Sequence, residues 1–535
     1  MKLNKIIFVF TFVLLSLLTV ISASAEEDKM YGVWVSTVYN LDYPNNPTTN
    51  SETLKNEIDQ IVKTSKEIGF NTIFFQVRPC ADSFYPSDFF PWSKFLTGTN
   101  GIAPDNGFDP LKYFIEKCHE NSMDIHAWVN PYRVTKDGDA ELNSLSADHP
   151  AKINPGWLVK YSDGNYYFNP GIPEVQDYVY GGVAEILQNY EVDGVHLDDY
   201  FYPGPDFNDQ ATYQKYNNGQ FSNIADWRRN NVDNMVRSLH NLSGLYGVDF
   251  GISPIGIWDN KKSNSLGSNT NGRSSYTQLF ADSRGWVKKG YVDYIAPQVY
   301  WNFGNDAADY GIVTKWWEDV CKDTDVKLYI GLATYRGEGA DVNSPWYGGK
   351  ETLKQMEYNS TSPVIDGEIH FRYKFVRDNS DIKTTIKTYY NTGSESSSNI
   401  GNSTENEQPV VPPVNQSTPK NEITVYVNGK KVEFDTPPIA ENGRTLVPMR
   451  AVFEALGATV EWEEESNSAV AVKGDNVMEV QVGSYVLKYN GERYLVDTPA
   501  KIVNNRTLMP LRAISEIFGY GVEWDQDTYS VYIEG

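Results

Sequence analysis

Between residues 26 and 390, short apolar runs alternate with amphipathic stretches, and that alternation leaves the chain few folds to choose from. The runs read YGVWVST from Tyr31, NTIFFQV from Asn71, DIHAWVN from Asp124 and VDGVHLDD from Val192. They continue as VDFGISP from Val248, VDYIAPQVYW from Val292, KLYIGLA from Lys327 and GEIHFRY from Gly367. Each has the length and composition of a buried strand. Helical patterns lie between most of them, such as SETLKNEIDQIVKTSKEIGF after the first. Eight strands with intervening helices predict an α/β fold, a (β/α)8 TIM barrel with long insertions. A doubly wound open sheet is the alternative, but no GxGxxG follows the first strand, so a dinucleotide fold loses its main support.

The rest of the chain divides at compositional breaks. Lys2 and Lys5 precede an apolar run from Ile6 to Ile21, and Ala23-Ser24-Ala25 follows it. The run is shorter than the roughly 18–20 residues of a spanning helix, so residues 1–25 read as a signal peptide and the mature chain is expected outside the cytoplasm. Residues 391–421 are polar, rich in Ser and Asn and dotted with prolines, the composition of a flexible linker. Residues 422–535 hold two copies of one pattern: Asp435 and Asp497, Arg444 and Arg506, Pro448 and Pro510, and Trp462 and Trp524 are each 62 residues apart. Each copy predicts a strand, an Asn-Gly turn, a second strand and a helix opened by Pro-x-Arg-Ala, ending at Gly457 or Gly519. A lone hairpin cannot bury its own apolar face, so the copies are expected to pack together as a small α+β domain.

A net charge of −24 argues against nucleic acid and anionic lipid as partners. Three scattered cysteines make no disulfide framework, and six histidines without HExxH or HxH spacing give no metal site. No cofactor is expected. An aromatic content of 14% suits a surface that stacks on sugar rings, although a large core uses the same residues.

In a barrel of this kind chemistry gathers at the C-terminal ends of the strands. The polar residues there are Arg78 and Asp82 after the second strand, and Asn130, Tyr132 and Arg133 after the third. His196, Asp198, Asp199 and Tyr200 end the fourth, Trp258 follows the fifth, Gln298, Tyr300 and Trp301 the sixth, and Tyr335 the seventh. Alternation along the fourth strand puts His196, Asp198 and Tyr200 on one face, aimed into the mouth, with Asp199 facing away unless the strand has already become loop. Glycosidic cleavage commonly uses two carboxyl groups, so Asp198 is the first catalytic candidate, with Asp199 and Asp82 as possible partners. The competing readings are structural: a cap or an ion pair for Asp198 and Asp199, an Asx-turn for Asp82, a barrel salt bridge for Arg78, and core packing for Trp258, Tyr300 and Trp301. The remaining members of the set are candidate substrate contacts.

The blocks QVRPCADSFYPS, PWSKFLTG, DPLKYFIEKCH, IHAWVNPYR, DGVHLDDYFYP, GISPIGIW and APQVYW resemble, in this order, the glycosyl-hydrolase-like 10 family (domain of unknown function 187). The resemblance runs from about Lys29 to Tyr390. It implies a barrel glycosidase of cell-wall glycan, since one member is a divisome-associated hydrolase of peptidoglycan strands stripped of their stem peptides. DGVHLDDYFYP also looks like the fourth-strand DGxDxDxEYP motif of family 18 chitinases. Asp193 and Asp198 fall on two of its aspartates, while His196 and Tyr200 replace the third and the catalytic Glu. Assistance from the substrate's acetamido group stays open. Asp259 stands where the family pattern has Arg, and no catalytic role is carried onto it. The tail resembles the copper amine oxidase N-terminal-like domain, which implies a stalk or wall-attachment module. It contains neither His nor Cys, so a copper site of the usual kind is excluded. The expected function is a secreted glycoside hydrolase of peptidoglycan glycan. The alternatives are a catalytically silent glycan-binding surface protein and a metal-dependent polysaccharide deacetylase.

Overall fold

The computed structural model describes residues 29–395 and 423–534, apart from 442–443, 465, 485, 497, 512–519 and 526–527. The signal-peptide segment and nearly all of the linker lie outside the described residues, as does the helix expected before Gly519.

Eight parallel strands close into a barrel. They are β1 (Met30–Val35), β2 (Thr72–Arg78), β3 (Asp124–Val129), β4 (Gly194–Leu197), β5 (Asp249–Ile252), β6 (Tyr294–Ile295), β7 (Lys327–Leu332) and β8 (Ile365–His370). Outer helices follow them in turn: α1 (Ser51–Ile68), α2 (Pro110–Glu120), α3 (Pro173–Asn189), α4 (Ile224–Tyr246), α5 (Ser283–Lys289), α6 (Tyr310–Cys321), α7 (Lys350–Ser360) and α8 (Ser380–Glu395). The periodicity of α1 places Leu54, Ile58, Ile61 and Val62 against the wall. Asn50 caps its start by accepting from the Thr53 amide, and Gly69 ends it at φ 109°. The last helix runs on to Glu395, five residues into the stretch whose composition reads as linker. A run of Ser, Thr and Asn with no proline before it can extend a helix that is already nucleated and packed.

The barrel is filled rather than hollow, with Met30, Trp34, Phe74, Trp128, Tyr294, Tyr329 and Ile369 meeting inside. Space for such rings comes from glycine: a methyl group on Gly251 would run into the ring of Tyr294, and one on Gly194 into that of His126. All three cysteines are free and buried.

At the foot of the barrel a side-chain pattern repeats on alternate strands. A residue at the start of each even strand or just before it accepts from an amide near the start of the preceding strand, at 2.8 Å in every case: Asn71 from Tyr31, Asp193 from Ile125, Asp293 from Phe250 and Asp366 from Leu328. These amides would otherwise be left unsatisfied at the strand ends. A depression of about 900 Å³ opens at this foot and is lined partly by Asp293 and Asp366, so those acids are already committed to holding strands.

In the tail, each Asn-Gly turn has positive φ at both positions, Asn428 and Gly429 in the first copy and Asn490 and Gly491 in the second. Arg444–Pro448 pairs antiparallel with Arg506–Pro510, with Leu446 opposite Pro510 and Pro448 opposite Leu508. Equivalent strands of the two copies therefore pair with each other, and Met449–Ala455 forms the helix after Pro448. Among the described residues of the barrel and tail, no helix is long and apolar enough to cross a membrane.

Candidate active site

The fourth strand stops at Leu197, so Asp198, Asp199 and Tyr200 already belong to the loop at the mouth. The chain turns there because Oδ1 of Asp198 accepts from the Tyr200 amide at 3.1 Å. Asp198 is buried, and its Oδ2 accepts from Asn130 Nδ2 at 2.5 Å and Trp128 Nε1 at 3.3 Å. Burial raises its pKa, while Arg133 and these donors pull it back down.

The turn swings Asp199 across the mouth, where Oδ1 accepts from Gln298 Nε2 at 2.9 Å. Burial first, and the neighbouring charge of Asp198 second, push the Asp199 carboxyl up to about 7. Two adjacent acids in one pocket cannot both ionise cheaply, so the pair loses one proton early and keeps the other toward neutrality. The donors converge on Asp198, which favours its ionised form and leaves Asp199 the better placed of the two to keep a proton.

Around this pair the mouth is aromatic and basic. Tyr200 is 42% exposed and lies beneath the guanidinium of Arg133, 5.3 Å from its ring centre. Asp199 first, then burial and Asp198, push its phenol up to about 12. Arg133 is held by the carbonyl of Pro79 at 2.7 Å and by Asn130 Oδ1 at 2.9 Å. Tyr300 and Tyr335 meet edge to face at 6.0 Å, both beside Phe371. Burial raises the Tyr300 phenol well above its usual value, and Asp199 and Asp198 add to the effect. The structure thus brings together Asp198, Asp199, Asn130, Arg133, Tyr200, Gln298, Tyr300 and Tyr335.

The other candidates are elsewhere. Arg78 points away from the mouth, because the β2–β3 register shifts between Gln76 and Arg78 and the extra residue reverses the alternation. Its guanidinium lies over Phe90 at 4.1 Å and against Gly182 of α3. His196 is sealed in the barrel, sharing Nε2 with Ser253 Oγ at 2.9 Å and Trp34 Nε1 at 3.2 Å, and Nδ1 with Tyr294 OH at 3.0 Å. Tyr132 is fully buried, held where its carbonyl accepts from the Phe168 amide of a short hairpin. Trp258 is 3% exposed, stacked on Trp316 and bonded through Nε1 to Asp282 at 2.9 Å. Trp301 packs against Gly256 in the loop after β5. Asp82 accepts from the amide of Cys80, two residues before it, at 3.0 Å within its own loop, and burial pushes its carboxyl up to about 6. Arg78, His196, Tyr132 and Trp258 are thus buried against partners other than the Asp198–Asp199 pair.

Four residues of the site were not singled out from sequence. Gln76 and Trp128 follow the inward alternation of Phe74 and His126, so a polar Gln in an apolar run was the available signal. Ser253 presents its carbonyl to Gln298 Nε2 at 2.9 Å. The charge of Arg273 acts on Asp199 and Tyr200 from the loop after β5, and no pattern marked it.

A family model described as "Glycosyl hydrolase-like 10" matches residues 29–348, and one described as "Copper amine oxidase N-terminal domain" matches residues 426–533. Glycosyl hydrolase YngK of Bacillus subtilis is 40% identical over 375 residues, covering 68% of this chain and 72% of that protein. Glycosyl hydrolase DigH of Escherichia coli K12 is 41% identical over 370 residues, covering 65% of this chain and 83% of that protein.

Proposed function

The chain belongs to the glycosyl hydrolase-like 10 family, and on that premise we propose that it is a secreted glycoside hydrolase of peptide-stripped peptidoglycan strands, with Asp198 and Asp199 as its working carboxyls. The observation that carries the assignment of residues is the unequal pair at the end of β4. One acid is ringed by donors and the other is pushed up to about 7. Cleavage of a glycosidic bond needs a proton for the leaving oxygen and negative charge near the cationic sugar. Asp199 supplies the proton, and Asp198 supplies the charge.

Tyr200, Tyr300 and Tyr335 offer ring faces and hydroxyls to a pyranose, and Arg133 offers a cation beside them. The N-terminal segment directs the chain out of the cytoplasm, and the two-copy tail holds it at the wall. No metal or organic cofactor takes part.

The test is release of soluble fragments from peptide-stripped glycan strands by the full chain. Release that disappears in both Asp198→Asn and Asp199→Asn supports the proposal. No release by the native protein, or release undiminished in Asp198→Asn, overturns it. Binding of the strands without release would instead mark a glycan-holding surface protein.

A further inference from the structure

Two side-chain amides lie between the first strand and Asp198, and the direction of each is fixed by groups that have no choice of role. Gln76 Oε1 accepts from the backbone amides of Thr37 at 2.9 Å and Val38 at 3.0 Å, and from Ser36 Oγ at 3.1 Å. A backbone N–H can only donate, so the Gln76 oxygen must face β1 and its Nε2 must face away. Nε2 donates to Asn130 Oδ1 at 2.6 Å, and Arg133 Nη2, also donor-only, reaches the same oxygen at 2.9 Å. Asn130 is left with Nδ2 toward the acid, 2.5 Å from Asp198 Oδ2. Trp128 Nε1 and the Tyr200 amide are donors as well, so the hydrogen bonds Asp198 receives are all of one sign.

We infer that Gln76 is a positioning residue for the reaction: by locking the amide of Asn130 with its donor toward Asp198, it keeps that carboxylate ionised and aimed. This rests on the reading of Asp198 as a working carboxyl. Gln76 itself is fully buried and acts only through Asn130. Without it, Arg133 Nη2 alone holds the Asn130 oxygen, so the amide is less firmly kept from turning that oxygen toward Asp198, a turn that favours the protonated acid. The groups facing Asp198 are Arg133 and Trp128 from the β3 side, Asp199 and Tyr200 from its own loop, and Tyr300 from the segment after β6. Arg273 acts on Asp199 and Tyr200, and His196 lies below, buried and with its pKa pushed well down. None of these changes when Gln76 is replaced.

The experiment is the pH profile of kcat/KM on peptide-stripped glycan strands, with thermal melting of each variant to confirm folding. Gln76→Met is near-isosteric and brings in no charge. Its acidic limb is expected to move up by about one pH unit, with activity on that limb down by about tenfold. Ser36→Ala removes one of the four donors that reach Gln76 Oε1, and a smaller shift of the same sign is expected. That variant decides the matter if Gln76→Met does not fold. Folded variants whose activity drops evenly at every pH, with the acidic limb in place, overturn the proposal and leave Asp198 untouched. An active Asp198→Asn overturns both.

Discussion

Gln298 Nε2 donates to Oδ1 of Asp199 and to the carbonyl of Ser253, each at 2.9 Å, so one amide ties the end of β4 to the stretch after β6 across the intervening strand. A carbonyl can only accept, so the nitrogen must face both. That donor favours ionised Asp199, yet burial and Asp198 still hold its carboxyl at about 7. A reaction that needs the protonated acid is complete below that value and falls about tenfold per pH unit above it. In Gln298→Leu the ionised form loses its partner, and the alkaline limb of kcat/KM is expected to move upward. A limb that stays in place would remove Asp199 from the acid role.

Replacing Asp199 with Asn removes a proton donor but keeps the shape and the Gln298 contact. A loss of about 10²–10⁴ in kcat is expected on glycan strands. An aryl glycoside whose leaving group departs without a proton should be hurt far less. Asp198→Asn should cost activity on both substrates, because charge at the sugar is needed in either case. Equal losses for Asp199→Asn on the two substrates would count against the division of roles.

Tyr300 and Tyr335 form the aromatic side of the mouth. Removing either ring takes away a stacking surface used before and during reaction alike. Tyr300→Ala and Tyr335→Ala are therefore expected to raise KM by about tenfold with kcat changed less. Steady-state kinetics on strands of defined length checks this, and an unchanged KM in both would place the sugar elsewhere.

Glu368 is buried in the barrel wall, accepting from Asn359 Nδ2 at 3.0 Å and Tyr390 OH at 3.1 Å. Burial pushes its carboxyl up from 4.5 to about 7. Between those values the native state holds a proton that the unfolded chain has released, so this group's contribution to stability falls as pH rises. The buried His126, His149 and His370, pushed down to about 4, 4 and 3, slope the other way over part of the same region. Only the difference between Glu368→Gln and the native chain isolates Glu368. Its melting advantage is expected to be small near pH 4.5, to grow toward pH 7 and to level off above, on the order of 1 kcal/mol or more. A gap independent of pH would contradict this.

Gly251→Ala puts a methyl group where the ring of Tyr294 lies, and that ring is held by His126 and His196 through its hydroxyl. Neither can give way without breaking the buried hydrogen bonds. A loss of about 1–3 kcal/mol is expected from urea unfolding, the range for overpacked cores. Native-like stability would mean that the barrel interior is looser than its packing indicates.

All eight strands are visible in the sequence because a buried parallel strand is a run of apolar residues between turn formers. Asp198 is visible for the same reason: it is the first carboxylate after such a run. Arg78 misleads because one extra residue in β2 reverses the side that a side chain faces, and a bulge leaves no mark in the residue types. Tyr132 and Trp258 mislead because they sit past strand ends but inside long insertions, and an insertion that folds back buries what it carries. The inward orientation of Gln76 could have been counted from Phe74, but its meaning depends on Asn130, a partner 54 positions away.

The clamps at the foot of the barrel join strands strictly in twos: β1 with β2, β3 with β4, β5 with β6 and β7 with β8. Among the described residues, no clamp of this kind spans the step from β4 to β5, where the loop of Asp198 and Asp199 leaves the wall. The cylinder is in that sense built from four staves, each fastened at its own base. A chain nicked in the surface loop after Tyr216 would leave every stave, and the clamp at its base, whole.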